Sequence, residues 1–360
     1  MTKVLTPYIQ ALLENPPTLT QTQFTKALRL IFDGEANDIE ISSFLTAIRL
    51  RKIDFDSEFI ANAVQTILEY SDKIDLSKID PDGYFDIVGT GGDSQNTFNV
   101  STSAAIIGAG MGLNVCKHGG KASTSKSGAG DLMSKLGVNL MKVNADSVPT
   151  VVNESNMCFL FAPAFHRGMG KVVNVRKNLG IPTIFNILGP LLNPIPLKGR
   201  ILGVYTRELG ETYCMAAIKS DKKKGRRPAR TFVVWGEVGL DEFSPTGKSV
   251  VWNYNEKNDE IEEFTVSPKD FGLPDHSLNL VRSGTPEENA VKLREILSLK
   301  SIKPGDDALV DYILMNSSAL AVMGGLTDNW KEGVNIAIQS ITSGSALRAL
   351  DKFVESVDRL

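Results

Sequence analysis

The sequence has few of the residues that build disulfide frameworks and histidine- or thiolate-rich metal centres. Its 360 residues include three cysteines and three histidines. Cys116, Cys158 and Cys214 are far apart and form no CxxC pair, which argues against a disulfide scaffold or a thiolate zinc site. The histidines show no HExxH spacing, although a catalytic triad needs only one histidine and that class stays open. Such cysteine usage fits a reducing compartment.

The chain also lacks an excess of one charge and any long apolar run. Lys plus Arg number 39 and Asp plus Glu 42, giving a formal charge of -3. This balance supplies no general attraction to nucleic acid or to an anionic membrane, so a phosphate ligand would have to be held locally. No run approaches the roughly 18 apolar residues of a membrane span, and the N-terminus does not read as a signal peptide. We expect a cytoplasmic protein with no nucleic-acid or membrane partner.

Two domains are expected, because the length exceeds what one hydrophobic core usually serves. Residues 1–75 show only helical apolar spacing, as in the Phe59, Ala63 and Ile67 series behind Asp56. From Tyr84 onwards, short β-branched runs alternate with helical segments. The pattern predicts an α/β protein: a small, mostly helical N-terminal domain plus a larger α/β domain with a central mixed, largely parallel sheet flanked by helices.

The second half of the α/β domain carries further signals. Antiparallel strands are expected around residues 249–265, and a helix beginning after Thr285 is expected from the Pro and acidic residues that follow it. Two more helices are predicted, over about 307–323 and 330–360. The basic stretch 222–230 (KKKGRRPAR) has no interleaved aromatic residues, which favours a solvated, mobile loop over a nucleic-acid contact.

The first candidate site is a glycine-rich turn directly after an apolar strand. Residues 89–93 read GTGGD and are followed by Asn-Val-Ser-Thr at 99–102, the predicted start of a helix. Glycines allow a tight turn that presents N–H groups to an anion, and a helix N-terminus adds aligned dipoles. The pattern indicates a phosphorylated ligand, although an ordinary strand-to-helix turn has similar glycines and the motif is neither a Walker loop nor GxGxxG.

The second candidate is the run 117–128, KHGGKASTSKSG, at the end of a predicted strand. Lysines, hydroxyl groups and a glycine pair together provide the charges, donors and close backbone approach that a pyrophosphate requires. The alternative is a polar surface loop. The position after the apolar LNVC strand favours the phosphate site.

A third candidate is the acidic pair Asp241-Glu242, which follows the strand TFVVW. Adjacent carboxylates can bind Mg²⁺, a cation that prefers oxygen ligands and shares them with substrate phosphates. Acidic dipeptides are more often solvated surface, so the pair alone is weak support for a metal site.

The fourth candidate is the stretch 161–194, which contains His166 and Arg176 among several glycines and prolines. Arg176 is expected on a helix that ends at Gly180, where its guanidinium could hold a carboxylate in a bidentate pair. A lone arginine is more often exposed, so the segment by itself does not decide a role.

Taken in order and spacing, these motifs resemble the anthranilate phosphoribosyltransferase family. The resemblance covers GTGGD with NVST, KHGGKAST, APAFHRGMGKVVNVRK, TIFNILGPLLNP and GLDE, and spans nearly the whole chain. It implies a helical domain of residues 1–75, to which 171–185 would return, and an α/β domain of 84–170 and 186–360. It also implies a homodimer formed through the helical domains, with ligands held in the cleft between domains.

The resemblance assigns the site residues by matched position. For phosphoribosyl pyrophosphate it implies contacts from Gly89, Gly92, Asp93, Thr97, Asn99, Val100, Ser101, Thr102, Lys117, His118, Gly119, Gly120, Lys121, Ala122, Ser123, Thr124, Ser125 and Ala129. For anthranilate it implies contacts from Gly89, His118, Gly120, His166 and Arg176. Ser101, Asp241 and Glu242 would hold Mg²⁺, and Lys117 and Arg176 would be catalytic.

The chain also departs from the family pattern. Where the lysine loop usually reads HGN, this chain has Gly120, and the usual HPAMK run is HRGMG, with Arg167, Gly168 and Gly170 as the differences. These positions affect the expected anthranilate pocket. The basic stretch 222–230 resembles an insertion relative to compact bacterial members.

The implied activity is a Mg²⁺-dependent pentosyltransferase reaction of tryptophan biosynthesis. The amine of anthranilate would displace pyrophosphate from the ribose C1 of phosphoribosyl pyrophosphate, giving N-(5-phosphoribosyl)anthranilate. Because an aromatic amine is neutral at pH 7, no obligatory general base is expected. Two alternatives remain: a pyrimidine nucleoside phosphorylase of the same fold, and a phosphate-ligand binding protein without catalysis.

Overall fold

The computed structural model describes residues 3–121 and 127–360. Its α-helices are α1 (Thr6–Leu13), α2 (Gln21–Phe32), α3 (Asp38–Leu50), α4 (Ser57–Glu69), α5 (Val100–Gly110), α6 (Ala129–Lys135), α7 (Val148–Glu154), α8 (Ala162–Phe165), α9 (Val173–Leu179), α10 (Phe185–Leu188), α11 (Gly210–Lys223), α12 (Pro286–Leu297), α13 (Ala308–Met323), α14 (Trp330–Thr342) and α15 (Ser345–Asp358). Its strands are β1 (Tyr84–Gly89), β2 (Val115–Gly119), β3 (Met157–Phe161), β4 (Leu197–Gly203), β5 (Arg230–Gly236), β6 (Ser249–Asn255) and β7 (Glu260–Val266).

The N-terminal helices begin at side-chain caps that the sequence supplies. Thr20 and Gln23 form a reciprocal capping box at α2, Asn37 accepts from two amides of α3, and Asp56 does the same for α4. These side chains satisfy backbone donors that a helix leaves unpaired at its first turn. The apolar stripe predicted on α4 is buried, from Phe59 to Ile67. The helical N-terminal part is therefore confirmed.

A single sheet has the strand order β3-β2-β1-β4-β5-β6-β7. The first five strands in this order run parallel, and β6 and β7 add antiparallel strands at one side. The predicted mixed, largely parallel sheet is confirmed. Since the carboxyl ends of parallel strands meet at one edge, the loops after β1, β2 and β3 gather there.

Two apolar clusters cover the two faces of this sheet. One contains the buried faces of α5 and α13 to α15, and the other joins the N-terminal helices to α9, α11 and the β4–β6 side of the sheet. Val172 and Val175 belong to the second cluster, as do Phe24 and Phe44 of the N-terminal helices, and α9 contacts α3. No helix in the described part of the chain is both long and apolar enough to cross a membrane.

Two features differ from the sequence-based expectations. The helix predicted over 330–360 is broken into α14 and α15 at Gly344, whose φ of 76° is the left-handed conformation that ends a helix. The basic stretch 222–230 is not simply a solvated loop. Lys222 and Lys223 belong to α11 and pair with acidic side chains of the chain itself, Asp259 and Glu58.

A buried ion pair joins β4 to α11. Arg200 Nη2 lies 2.6 Å from Asp221 Oδ2, and the exposed fractions of the two side chains are 3% and 9%. Arg200 Nε also donates to Thr231 Oγ1 at 3.0 Å, while the Ala229 amide donates to Asp221 at 3.1 Å. Removing one partner from such a pair leaves an uncompensated buried charge.

We expect Arg200→Leu to lower the free energy of unfolding by about 3–5 kcal/mol, because Asp221 would stay buried without its partner. Urea unfolding followed by circular dichroism measures the change. The matched control is Arg207→Leu, which removes an exposed pair with Glu263 (57% and 42%) and should cost about 1 kcal/mol or less. Equal losses in the two variants would contradict the role assigned to burial.

Candidate active site

A cavity of about 750 Å³ opens at the carboxyl ends of the parallel strands. One side is formed by the loops that follow β1 and β2 together with Asp241 and Glu242. The other is formed by the segment from Ala162 through α9 and by the Gly189-Pro190 turn. The cavity thus has a polar end on the α/β domain and a second end near α9.

The glycine-rich turn after β1 is shaped by its contact with Asp241. Gly91 and Gly92 have φ values of 67° and 85°, a conformation that favours glycine. The Gly91 amide donates to Asp241 Oδ2 at 2.6 Å. A Cβ atom at Gly89 would lie 2.2 Å from that same Oδ2, so only glycine allows the acidic loop to approach β1 this closely.

The N-terminus of α5 faces the cavity beside this turn. Asn99 caps the helix by accepting from the Thr102 amide at 3.2 Å, and Asn99 and Ser101 line the cavity. Val100 and Thr102 have fully buried side chains that do not line it. The helix thus presents a hydroxyl and the positive end of its dipole to the cavity.

Lys117 is a buried cation at the centre of the polar end, with 1% of the residue exposed. Its ammonium donates to the Ile87 carbonyl and, at 3.3 Å, to Ser101 Oγ. Burial lowers the pKa of Lys117, whereas the neighbouring carboxylates of Asp86, Glu242 and Asp241 raise it. An ammonium ion held in this way stays fixed and close to the cavity.

Three carboxyl groups meet opposite Lys117. Burial and the nearby Asp93 raise the pKa of Asp241 to about 7, and the Asp93 and Asp241 side chains are within hydrogen-bonding reach of each other. Burial and Asp241 raise the pKa of Glu242 well above its usual range. Crowded, buried carboxylates of this kind are stabilised by a bound cation.

The donor set fits Mg²⁺ rather than a softer metal, because it consists of carboxylates and the Ser101 hydroxyl. Within residues 3–121 and 127–360, no group of three or more histidine, cysteine or acidic side chains is arranged to hold a metal unaided. Magnesium commonly takes one or two carboxylates and completes its shell with water and substrate phosphates. The site therefore suits an ion shared with a diphosphate.

At the other end, His118 and His166 form a chain of hydrogen bonds. His118 Nδ1 lies 3.0 Å from the Gly189 oxygen, the two Nε2 atoms are 2.9 Å apart, and His166 Nδ1 lies 2.7 Å from Ser71 Oγ. Because a carbonyl only accepts, His118 carries its proton on Nδ1, and His166 donates from Nε2 to His118. The Ser71 hydroxyl lies between His166 Nδ1 and the Ile67 carbonyl, to which it donates at 2.8 Å. Burial lowers the pKa of His118 well below its usual range and that of His166 to about 4.

Arg176 reaches the same end of the cavity from α9. Its guanidinium lies over the Phe185 ring, 5.8 Å from the centroid, and makes no ion pair with any residue that the structure describes. Burial lowers the pKa of Arg176. A partly desolvated guanidinium beside an aromatic wall is suited to a planar, carboxylate-bearing ligand.

Known proteins with similar sequences explain why a polar end and an arginine-containing end occur in one cavity. Residues 6–71 match the helical bundle domain of a glycosyl transferase family, and residues 82–347 match its a/b domain. Anthranilate phosphoribosyltransferase of Saccharomyces cerevisiae is 46% identical over 98% of both chains, and that of Schizosaccharomyces pombe is 42% identical over 94% of this chain and 92% of its own. The chain belongs to the anthranilate phosphoribosyltransferase family.

Solved structures of family members have the same fold. The Saccharomyces cerevisiae enzyme in complex with PRPP and Mg superimposes with a TM-score of 0.92 at 45% identity, covering 100% of this chain and 99% of that one. The enzyme from Thermus thermophilus gives 0.83 at 30% identity, with 99% and 100% covered.

Most site residues expected from the family motifs line this one cavity. They are Gly89, Gly92, Asp93, Thr97, Asn99, Ser101, Lys117, His118, Gly119, Gly120, Lys121, Ala129, His166, Arg176, Asp241 and Glu242. Val100 and Thr102 lie beneath the wall, and Ala122, Ser123, Thr124 and Ser125 fall outside the described residues.

Sequence reasoning missed several wall residues, including Asn96, Pro163, Met169, Phe185 and Pro190. Their types carry no chemical signature, although the glycines and prolines near Pro190 marked a chain reversal.

The departures from the family pattern fall at the same end of the cavity. A Cβ atom at Gly120 or Gly170 would meet no atom within 4 Å, so both glycines leave open space. Arg167 is exposed at the rim and pairs with Asp72 at 3.1 Å. The cavity is therefore wider here than asparagine at position 120 would leave it.

We expect the free energy of unfolding to decrease as the pH falls, and we expect part of this decrease to come from His166. Above pH 6.5 the imidazole is neutral in both states, whereas between pH 6.5 and about 4 the unfolded chain binds a proton that the folded chain does not. The free energy of unfolding should therefore fall by about 3 kcal/mol more in the wild type than in His166→Gln between pH 7 and pH 4. Urea unfolding at several pH values measures this difference, and parallel curves would contradict it.

Proposed function

We propose that this chain transfers the 5-phosphoribosyl group from phosphoribosyl pyrophosphate to the amine of anthranilate, releasing pyrophosphate, as a step of tryptophan biosynthesis. The main support is that one cavity joins a polar end suited to a diphosphate to an apolar end, where the Arg176 guanidinium makes no ion pair with any described residue. The chemistry of each end matches one substrate. Gly89 lines this cavity, and the family motifs predict that it contacts both substrates.

The polar end holds phosphoribosyl pyrophosphate. Backbone amides of the glycine turn, the N-terminus of α5, and Lys117 supply donors and positive charge for the phosphates. Asp241, Glu242 and Ser101 would hold Mg²⁺, which would supply positive charge to the pyrophosphate leaving group. The remaining expected contacts of this substrate, Val100, Thr102 and Ala122 to Ser125, stay predictions from the family motifs.

The other end holds anthranilate. Arg176 faces the carboxylate, while Phe185, Pro190 and Met169 provide apolar contact to the ring. His118 and His166 line the pocket as neutral rings. This arrangement selects a small planar acid and leaves its amine directed to the polar end.

The chain positions the reactants rather than activating the nucleophile. In the reaction a bond forms between the anthranilate nitrogen and the ribose C1, and the bond from C1 to the pyrophosphate oxygen breaks. The nitrogen then loses its extra proton to the released pyrophosphate or to solvent. All four ring nitrogens of His118 and His166 are engaged by each other, by Ser71 and by the Gly189 carbonyl. Burial also lowers the pKa of both rings, so neither imidazole is a strong proton acceptor for the amine at pH 7. The neutral amine needs no such acceptor, and orientation and leaving-group stabilisation supply the rate enhancement.

We expect Arg176→Ala to raise the anthranilate KM about 100-fold, equivalent to roughly 3 kcal/mol for a lost contact to a charged group. The KM for phosphoribosyl pyrophosphate should change little. The measurement is a continuous assay that follows consumption of the fluorescent anthranilate, with phosphoribosyl pyrophosphate and Mg²⁺ each omitted in turn.

The matched control for this assay is Arg29→Ala, which removes an exposed arginine of α2 that pairs with Glu69 and does not line the cavity, and it should leave both KM values within about twofold. An equal rise in both KM values for Arg176→Ala would refute its assignment. If the wild type consumed no anthranilate but cleaved thymidine or uridine with inorganic phosphate, the chain would be a nucleoside phosphorylase of this fold.

We propose that the chain forms a homodimer through its helical domain. Leu13 at the end of α1 and Leu50 at the end of α3 are 60% and 75% exposed. Arg51 joins these ends by donating to the Leu12 and Leu13 carbonyls. Neighbouring exposed leucines on a helical surface support a contact with a second copy.

We expect the wild type to sediment at about twice the 39.1 kDa of one chain and Leu50→Glu to sediment as a monomer, because a carboxylate would be buried in the interface. Analytical ultracentrifugation measures this. Leu280→Glu is the control, since Leu280 is 64% exposed on the α/β domain and the variant should remain dimeric. A wild-type monomer, or a dimeric Leu50→Glu, would overturn the proposed interface.

We further propose that residues 1–75 and 171–185 form the helical domain, and that the protein works in the cytoplasm. The shared packing of Val172 and Val175 with the N-terminal helices supports the first proposal. The three cysteines, which are all free and buried, support a reducing compartment.

A further inference from the structure

Tyr312 contacts the acidic pair from outside the cavity loops. It lies in the first half of α13, and only 1% of the residue is exposed. Its hydroxyl donates a hydrogen bond to Glu242 Oε2. No sequence motif marks this tyrosine, because α13 is about 70 residues from the acidic pair along the chain.

Glu242 lines the cavity at the proposed metal site, whereas Tyr312 does not line it. The phenol is the donor of their hydrogen bond, because a carboxylate oxygen accepts. A buried residue of α13 is therefore bonded directly to one residue of the acidic pair.

One helical turn further along α13, Asn316 holds the backbone beside the acidic pair. Its Oδ1 accepts from the Phe243 amide at 3.2 Å, and its Nδ2 donates to the Phe243 carbonyl at 3.1 Å. Nδ2 also lies 3.1 Å from the Tyr312 carbonyl. Asn316 thus fixes the chain that follows Glu242, and Tyr312 fixes the Glu242 carboxylate itself.

We propose that Tyr312 is a positioning residue for the magnesium site, holding the Glu242 carboxylate in the orientation that binds the ion. This inference rests on the proposed function of the site. With Oε2 bonded to the phenol, Oε1 is the oxygen left for the metal. Hydrogen bonds to metal-ligating carboxylates set ligand orientation, and their loss typically costs 10–100-fold in metal affinity.

The test measures Mn²⁺ binding instead of turnover. Free Mn²⁺ is followed by electron paramagnetic resonance in the presence of phosphoribosyl pyrophosphate and in the absence of anthranilate. We expect the Mn²⁺ Kd of Tyr312→Phe to rise about 10-fold, because the ring volume is kept and only the hydroxyl is lost.

The matched control is Tyr213→Phe. Tyr213 is also fully buried, and its hydroxyl donates to the Ile187 carbonyl, outside the acidic cluster. This variant should keep the wild-type Mn²⁺ Kd within about twofold while losing a comparable buried hydrogen bond. Thermal unfolding of both variants separates a general loss of stability from a specific loss of metal affinity.

The outcomes are distinct. An unchanged Mn²⁺ Kd in Tyr312→Phe, or an equal rise in Tyr213→Phe, would overturn the positioning role. If Tyr312→Phe does not fold, the test uses 4-aminophenylalanine at position 312, which keeps the shape of the side chain and a weaker hydrogen-bond donor. A rise of about threefold in the Mn²⁺ Kd would support the proposal, and an unchanged Kd would refute it. A wild type that binds no Mn²⁺ with phosphoribosyl pyrophosphate would overturn the proposed function, and this inference with it.

Discussion

The close approach of the Asp241 loop to the ends of β1 and β4 is the constraint on which the polar end of the site depends. Gly89 and Gly203 are paired in the sheet, and a Cβ atom at Gly203 would lie 1.5 Å from the Asp241 backbone oxygen. Glycine at both positions lets the acidic loop cross the strand ends, where Asp241 accepts from the Gly91 amide. A side chain at either strand end would push the carboxylates away from the phosphate-binding turn. The metal ligands and the diphosphate amides are therefore placed by the same backbone contact.

The buried charged groups explain why this end of the cavity is suited to binding charged ligands. Asp86 and Lys117 are buried on neighbouring strands, and Asp241 and Glu242 are crowded with Asp93. Each charged form is disfavoured by burial, which is why the pKa of Lys117 falls and those of the carboxyl groups rise. A magnesium diphosphate supplies both signs of charge and so offsets both penalties at once. Ligand binding thus offsets the free-energy penalty of burying these charged groups, which is unfavourable in the absence of ligands.

The sequence was sufficient for the fold class and for the loops at the strand ends, because strand periodicity and glycine position are local signals. The helix start at Thr285 and the antiparallel strands near Ser249 were also predicted from local pattern. The division of 330–360 at Gly344 was missed, since an isolated glycine in a helical pattern does not by itself distinguish a break. Tyr312 could not be found, because its partner is brought to it only by tertiary packing of α13. The role of Arg176 was predicted from the family resemblance. Only the structure shows that Arg176 makes no ion pair within residues 3–121 and 127–360.

The two ends of the cavity depend on different parts of the fold. The diphosphate end is built from loops of the parallel strands, whereas Arg176 lies on α9, which packs against α3 of the N-terminal helices. The chain from Ser71 through His166 and His118 to Gly189 links the end of α4 to the strand loops by uncharged hydrogen bonds. Uncharged bonds of this kind are directional but individually worth only about 1 kcal/mol, so the apolar cluster that the N-terminal helices share with α11 and the sheet holds these two parts of the fold together. The distance between Arg176 and the diphosphate end therefore depends on this packing as well as on the groups that line the cavity.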